Sequence, residues 1–238
     1  MIPSDLDVLA RHRRVFAARP ELREAYHAFF ARLLLEAGDR RPIVEVGAGP
    51  GFLKAWCPSI LSTDVVPSPW IDAACDGGVL PFRSGCVGAV VMLDVLHHLP
   101  RPVEFLREVA RVLRPAGRVV AIEPWITPLS YVLYRWFHHE DCRLGIDLDR
   151  PFAGGKRAFD GNAALPFELV RRFRRGRDGL RPVRVEPFLG LPYLATFGFQ
   201  RERPVPATWI GAARRIEALL GPLGAVLATR ALIVWEKA

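Results

Sequence analysis

Apolar positions recur at helical spacing through the first forty residues, then gather into short continuous runs. Ser4 and Asp7 form a capping-box pattern, and Leu6, Leu9, Val15 and Phe16 fall on one face behind it. Pro20 restarts a second helix, whose apolar face carries Leu22, Tyr26, Phe29, Phe30, Leu33 and Leu34 until Gly38 stops it. Beyond that point, strands are predicted at 43–46, 60–63, 72–75, 87–93 and 118–123. The 87–93 run is apolar enough to be buried on both faces. Helices are predicted at 52–56 and at 102–113, where Val103, Leu106, Val109, Ala110 and Leu113 share a side, and 114–117 reads as a turn. Strand alternating with helix predicts βαβ units and a parallel sheet.

After Pro124 the pattern loosens. Residues 129–137 read as an aromatic-rich helix and 138–156 as loop, and Asn162 is placed to cap a helix over 163–175. Residues 183–188 look like a strand, 208–220 like a helix and 231–236 like a last strand; 189–203 is apolar and aromatic without a clear period. The expected organisation is N-terminal helices at 1–40 on the substrate side, a nucleotide-binding core at 41–125, a cap at 126–205 contributing one strand, and a returning helix and strand at 206–238.

Composition narrows this picture. Of 238 residues, 50% are hydrophobic and 24% charged, which suits a packed domain rather than a disordered chain. The N-terminus lacks a signal-peptide pattern. The most apolar stretch, 219–235, is broken by Gly221, Pro222, Gly224 and Arg230, so no transmembrane segment is expected and the reading is a soluble, cytoplasmic protein. Cys57, Cys75, Cys86 and Cys142 are scattered, which predicts reduced thiols. Much of the net charge of +8 lies in Arg171, Arg172, Arg174, Arg175, Arg177, Arg181 and Arg184. Such a run attracts nucleic acid, phosphorylated substrates or an anionic membrane, or is simply a solvated face.

The candidate chemistry sits at strand ends, where open parallel sheets bind ligands. Gly47, Gly49 and Gly51 make a tight turn after the first strand, but Phe52 stands where a nicotinamide fingerprint needs its third glycine. Glu45, two residues before the first glycine, suits a ligand carrying positive charge better than a pyrophosphate. The phrase Glu45-Val46-Gly47-Ala48-Gly49-Pro50-Gly51 resembles motif I of the class I S-adenosylmethionine-dependent methyltransferases. Asp64 followed by Val65, Asp76 followed by Gly77, and Asp94 ahead of Val95-Leu96-His97-His98-Leu99 are similar to that family's later elements, as is the 109–118 phrase before the fifth strand. The likeness covers about 40–125 and is nearest the type 11 small-molecule branch. One position departs from it: Gly88 stands where the family usually has an aspartate.

The resemblance implies a Rossmann-like, doubly wound, mostly parallel seven-stranded sheet with an antiparallel last strand, N-terminal helices and a cap insertion. It also implies S-adenosylmethionine as cofactor and S-adenosylhomocysteine as product. The cofactor-binding set it implies is Glu45, Gly47, Ala48, Gly49, Gly51, Asp64, Val65, Asp76, Gly77 and Asp94. A methyl on a sulfonium is already activated, so alignment matters more than any universal catalytic group, and a base is needed only for a protonated nucleophile. His97 and His139 are the candidate bases. His98, Trp125, Tyr131, Tyr134, Asp160 and Asn162 are the candidate substrate contacts. The cluster at 138–142 lacks the convergent spacing of a metal site, so no metal is expected.

The expected reaction is O-methylation of a small-molecule, natural-product or lipid- or glycan-linked metabolite. The expected form is a monomer or homodimer, with peripheral membrane contact through 189–199 beside the arginine run. The alternatives are an accessory protein that keeps the fold without turnover, and a nucleic-acid methyltransferase. The second lacks the Asn/Asp-Pro-Pro-aromatic signature after the fourth strand, and no nucleic-acid partner is expected.

Overall fold

A computed structural model describes residues 4–137, 141–151 and 161–238 of the chain. The candidate residues His139 and Asp160 lie outside the described residues. Helix α1 (Asp5–Ala18) starts on the expected capping box: the Ser4 hydroxyl accepts from the Asp7 N–H, and the Asp7 carboxylate accepts from the Ser4 N–H. Helix α2 (Pro20–Ala37) opens on Pro20 and ends at Gly38.

One seven-stranded sheet follows, built from β1 (Ile43–Val46), β2 (Leu61–Asp64), β3 (Ala73–Ala74), β4 (Val87–Leu93), β5 (Leu113–Pro124), β6 (Leu180–Phe188) and β7 (Arg230–Lys237). Its order is β3-β2-β1-β4-β5-β7-β6. The first five strands are mutually parallel, while β7 runs antiparallel to both β5 and β6. The strand order reverses between β1 and β4, which opens a crevice at their carboxyl ends. Because β7 is reversed, its first residue, Arg230, lies at that same edge, in register with Pro124.

Alternation along each strand divides the core. Val90 and Met92 join the cluster under helices α4 (Pro102–Val112) and α6 (Leu165–Phe173), whereas Ala89 and Val91 join the one under α2 and α3 (Phe52–Trp56). Among the described residues the remaining helices are α5 (Pro128–Phe137), α7 (Leu191–Leu194), α8 (Ala207–Leu220) and α9 (Gly224–Leu227).

Two local expectations are corrected. The turn expected at 114–117 lies inside β5: Leu113 pairs with Val87 and Arg118 with Ala89, and the residues between bulge out through Ala116, whose φ is 59°. Helix α6 begins at Leu165 with Ala164 at its cap, so Asn162 is not the N-cap. Asn162 is instead a buried junction whose Oδ1 accepts from Arg143 N (2.8 Å) and Ala164 N (3.1 Å) while its Nδ2 donates to Arg143 O (3.0 Å).

The aromatic stretch 189–203 lacks a period because short helical turns and one buried side chain together satisfy its backbone. Arg19, fully buried between α1 and α2, donates to the carbonyls of Thr196 (2.6 Å), Gly198 (2.7 Å) and Arg201 (2.6 Å). Tyr193 and Phe199 pack from this stretch against Tyr26 of α2.

The departure at position 88 has a steric cause. A Cβ on Gly88 would come within 2.5 Å of the Arg40 carbonyl carbon, because the chain entering β1 crosses here and Pro42 O accepts from Gly88 N (2.9 Å). The arginine run is mostly neutralised: Arg171, Arg172, Arg177, Arg181 and Arg184 each meet a carboxylate, leaving Arg174 and Arg175 without an ion pair among the described residues.

Candidate active site

The turn after β1 lies beside two buried acids, Glu45 and Asp64. Gly47 has φ 73°, and a Cβ there would collide with the Val95 side chain, so the turn closes tightly onto the loop after β4. Asp64, at the end of β2, accepts from Gly49 N (2.7 Å) and Val66 N (2.8 Å), which fixes its carboxylate against the glycine loop. Glu45 points from β1 with 5% of its surface exposed, and its Oε2 has no hydrogen-bond partner. Burial, reinforced by the neighbouring Asp64, pushes the Glu45 carboxyl well above the usual range.

Neither Glu45 nor Asp64 forms an ion pair among the described residues. Two acids side by side at the glycine loop call for a ligand that brings cationic and hydroxyl donors, and once ionised they would repel a pyrophosphate. Further along the edge, the exposed Asp76 accepts from Gly78 N (2.8 Å), while Gly77 packs beneath it on Phe105.

A second cluster lies at the ends of β4, β5 and β7. Glu123 is fully buried; its Oε1 accepts from Val95 N and Leu96 N (both 2.8 Å), and its Oε2 lies 2.7 Å from His97 Nδ1. A carboxylate that accepts at both oxygens keeps the proton on Nδ1, which puts the imidazole lone pair on Nε2. Asp94, held at φ 58°, receives both arms of Arg230 (2.8 and 2.7 Å). Burial alone would raise the Asp94 carboxyl, but the Arg230 charge and hydrogen bonds, with His97 and His98 nearby, together outweigh it and the net shift is downward. Arg230 in turn stacks on Tyr193 (4.6 Å) and Phe29 (5.1 Å). Ligand atoms of Asp94, His97 and Glu123 lie within 4.8 Å of one another, yet both carboxylates are already engaged, one of them by a guanidinium.

Residues 44–121 match a family described as a methyltransferase domain. They form a class I methyltransferase domain of type 11. Among curated relatives, a fatty-acid O-methyltransferase of Mycolicibacterium smegmatis is 30% identical over 128 residues. That alignment takes in 52% of this chain, and the chain spans only 40% of that relative's length. The fold is shared with a geranyl diphosphate C-methyltransferase of Streptomyces coelicolor, solved with Mg2+, geranyl diphosphate and S-adenosylhomocysteine (TM-score 0.57, 16% identity, 89% of this chain and 77% of that one). It is shared too with a methyltransferase of Archaeoglobus fulgidus (TM-score 0.55, 14% identity, 90% and 94%).

S-Adenosylmethionine is the cofactor of this domain, and its chemistry fits the acidic cradle: an ammonium for the orphaned Glu45 and ribose hydroxyls for Asp64. The methyltransferase edge brings together Glu45, Gly47, Ala48, Gly49, Gly51, Asp64, Val65, Asp76 and Gly77, with Asp94 and the His97–Glu123 pair beyond them. Asp94 differs from its expected role in being occupied by Arg230.

The expected substrate contacts separate. Trp125 is buried edge-on against Phe167 (5.1 Å), and the Tyr134 hydroxyl donates to Thr229 O (2.5 Å). Tyr131 is exposed on α5. His98 stacks beside His97 with ring centroids 4.0 Å apart. Two residues escaped the sequence reading. Glu123 passed as the last residue of an ordinary strand, although a carboxylate closing an apolar run was its signal. Arg230 was noted only as a break in the apolar 219–235 stretch, and that break was its signal.

Proposed function

We propose that this protein transfers the methyl of S-adenosylmethionine to an oxygen of a small or lipid-linked metabolite, with His97 as the base. The observation that carries this reading is the buried His97–Glu123 pair at the carboxyl edge of β4 and β5, beside the acidic cradle. The cofactor supplies an activated sulfonium methyl. The chain must hold the acceptor in line, exclude water and take the proton a hydroxyl loses. Glu123 positions His97 from below and pins the Val95–Leu96 backbone with its other oxygen, so ring and loop are set together. In-line alignment is where most of the rate enhancement in such a transfer arises. Likeness to a relative named for O-methylation of fatty acids supports oxygen over nitrogen or carbon as the acceptor.

Radiolabelled methyl transfer to a panel of apolar hydroxyl and carboxyl compounds tests the reading. For a hydroxyl acceptor, His97→Asn is expected to lower kcat by about 10²–10³-fold with little change in cofactor affinity. Turnover by His97→Asn within a factor of two of the parent would remove the base assignment. Tight cofactor binding with no transfer across the panel would instead favour an accessory role.

A further inference from the structure

Helix α5 and the helical run 207–227 turn an apolar surface outward, where helices of a globular domain normally turn charge. On α5, Leu129, Val132 and Trp136 follow one another at helical spacing and are all exposed, Trp136 by 77%. Across the run formed by α8, the turn Gly221–Leu223 and α9, the exposed large residues are Trp209, Ile216, Leu219, Leu223 and Val226. Spacings of seven and three residues keep Trp209, Ile216 and Leu219 on one stripe of α8, Leu219 being 79% exposed, and Leu223 and Val226 follow in the turn and α9. The two helical segments meet: Thr127, just before α5, donates its hydroxyl hydrogen bond to Ala228 O, just after α9 (2.9 Å). An exposed apolar patch of this extent marks an interaction surface.

The charges around the patch select its partner. Arg135 on α5 and Arg215 on α8 are exposed and have no ion pair among the described residues, and Arg214 beside them pairs with Glu24 of α2 (2.5 Å). Among the described residues of α5 and 207–227 there is a single acid, Glu217, and it is turned inward, accepting from Gly190 N (2.9 Å). A second copy of the chain docked here would set arginine against arginine with no carboxylate between them. Two exposed tryptophans, aliphatic side chains and arginines without acids are instead the composition that lodges at a lipid–water interface.

We infer that this face seats the protein on an anionic lipid bilayer. Its position gives the contact a use. Helix α5 leaves the carboxyl end of β5, and α9 leads into Arg230, so the seated face flanks the edge where Asp94 and His97 stand. An acyl-bearing acceptor could then reach the site without crossing water. The surface is distinct in sequence from the expected 189–199 stretch, where Tyr193 and Phe199 pack on Tyr26 while Leu194 and Phe197 remain exposed.

Co-sedimentation with vesicles tests the inference, and because no turnover is read, its outcome is separate from that of the proposed acceptor. The full-length protein is expected to sediment with vesicles of phosphatidylcholine containing about one-third phosphatidylglycerol, not with phosphatidylcholine alone, and to be released by added salt. The double variant Trp136→Glu/Leu219→Glu should bind the anionic vesicles about tenfold or more weakly. Its melting temperature and its affinity for S-adenosylmethionine should be unchanged, since both side chains are exposed. Three results would overturn the inference: no sedimentation with either vesicle, equal affinity of parent and double variant, or a concentration-dependent dimer that the double variant abolishes.

Discussion

Glu45 shows how one side chain can report the chemistry of the ligand it suits. Its carboxyl is buried, lacks a partner at Oε2 and faces the Asp64 charge, so both influences favour the protonated form. In the cofactor-free protein its pKa therefore lies above the ordinary value of 4.5. The unfolded chain ionises at that ordinary value while the folded one keeps its proton. The stabilising share is thus complete at low pH and is lost as pH rises from about 4.5 through the raised folded value. Glu45→Gln removes that loss, so the cofactor-free variant should melt higher than the parent at pH 8, with the gap closing toward pH 5. A cation bound beside Glu45 reverses the preference, so cofactor binding should release up to about one proton and tighten as pH rises. Calorimetry in two buffers of different ionisation heat reads this directly; equal heats in both would overturn it. Glu45 and the glycine loop were legible in the sequence because motif I is local. Its protonation was not, since that depends on Asp64 nineteen residues away and on packing no local pattern encodes.

Between elements, the tie that matters most runs from β4 to β7. Asp94 and Arg230 are 136 residues apart in the chain and meet only because β7 enters the sheet reversed, which brings its first residue to the edge where β4 ends. Arg230→Met would leave Asp94 unpaired in a site about one-quarter exposed, and breaking such a pair is expected to destabilise by about 3 kcal/mol. Adding Asp94→Asn to Arg230→Met should recover part of that loss, because the stranded charge is then gone; denaturant melts of the two single variants and the double variant measure the coupling. A double variant no more stable than Arg230→Met would mean that the stacking of Arg230 on Tyr193 and Phe29, not its charge, is what counts. The strands and most helices were readable from periodicity, because each buries a face of its own. The segment 189–203 was not, since it is built of short turns anchored at three carbonyls by Arg19, a residue that looks from sequence like an ordinary solvated arginine.

Seen together, the N-terminal helices and the 189–203 segment form one shell that closes over the glycine loop. Leu9 of α1 lies 3.6 Å from where a Cβ on Gly49 would stand, Arg13 donates to Pro50 O (2.5 Å), and Phe16 stacks on Phe52 at 3.9 Å. His12 joins the two parts of the shell by stacking on Phe199 at 4.2 Å. Burial, followed by the neighbouring Arg11 charge, pushes the His12 imidazole down from 6.5 to about 4. An opened or unfolded chain takes up the proton near 6.5, whereas the closed shell resists it until about 4. Closure is therefore fully favoured above 6.5 and weakens as pH falls from 6.5 toward 4. The shell should open before the sheet melts, because the strands beneath are held by two apolar clusters that do not titrate. Hydrogen exchange across that pH window should show α1 and the 191–200 backbone losing protection while β4 and β5 keep theirs. His12→Phe keeps the stack on Phe199 without the titrating ring and should hold the shell protected down to pH 4.5. Parallel loss of protection in parent and His12→Phe would assign the acid sensitivity to other groups facing that stack, such as the Arg11–Glu202 pair.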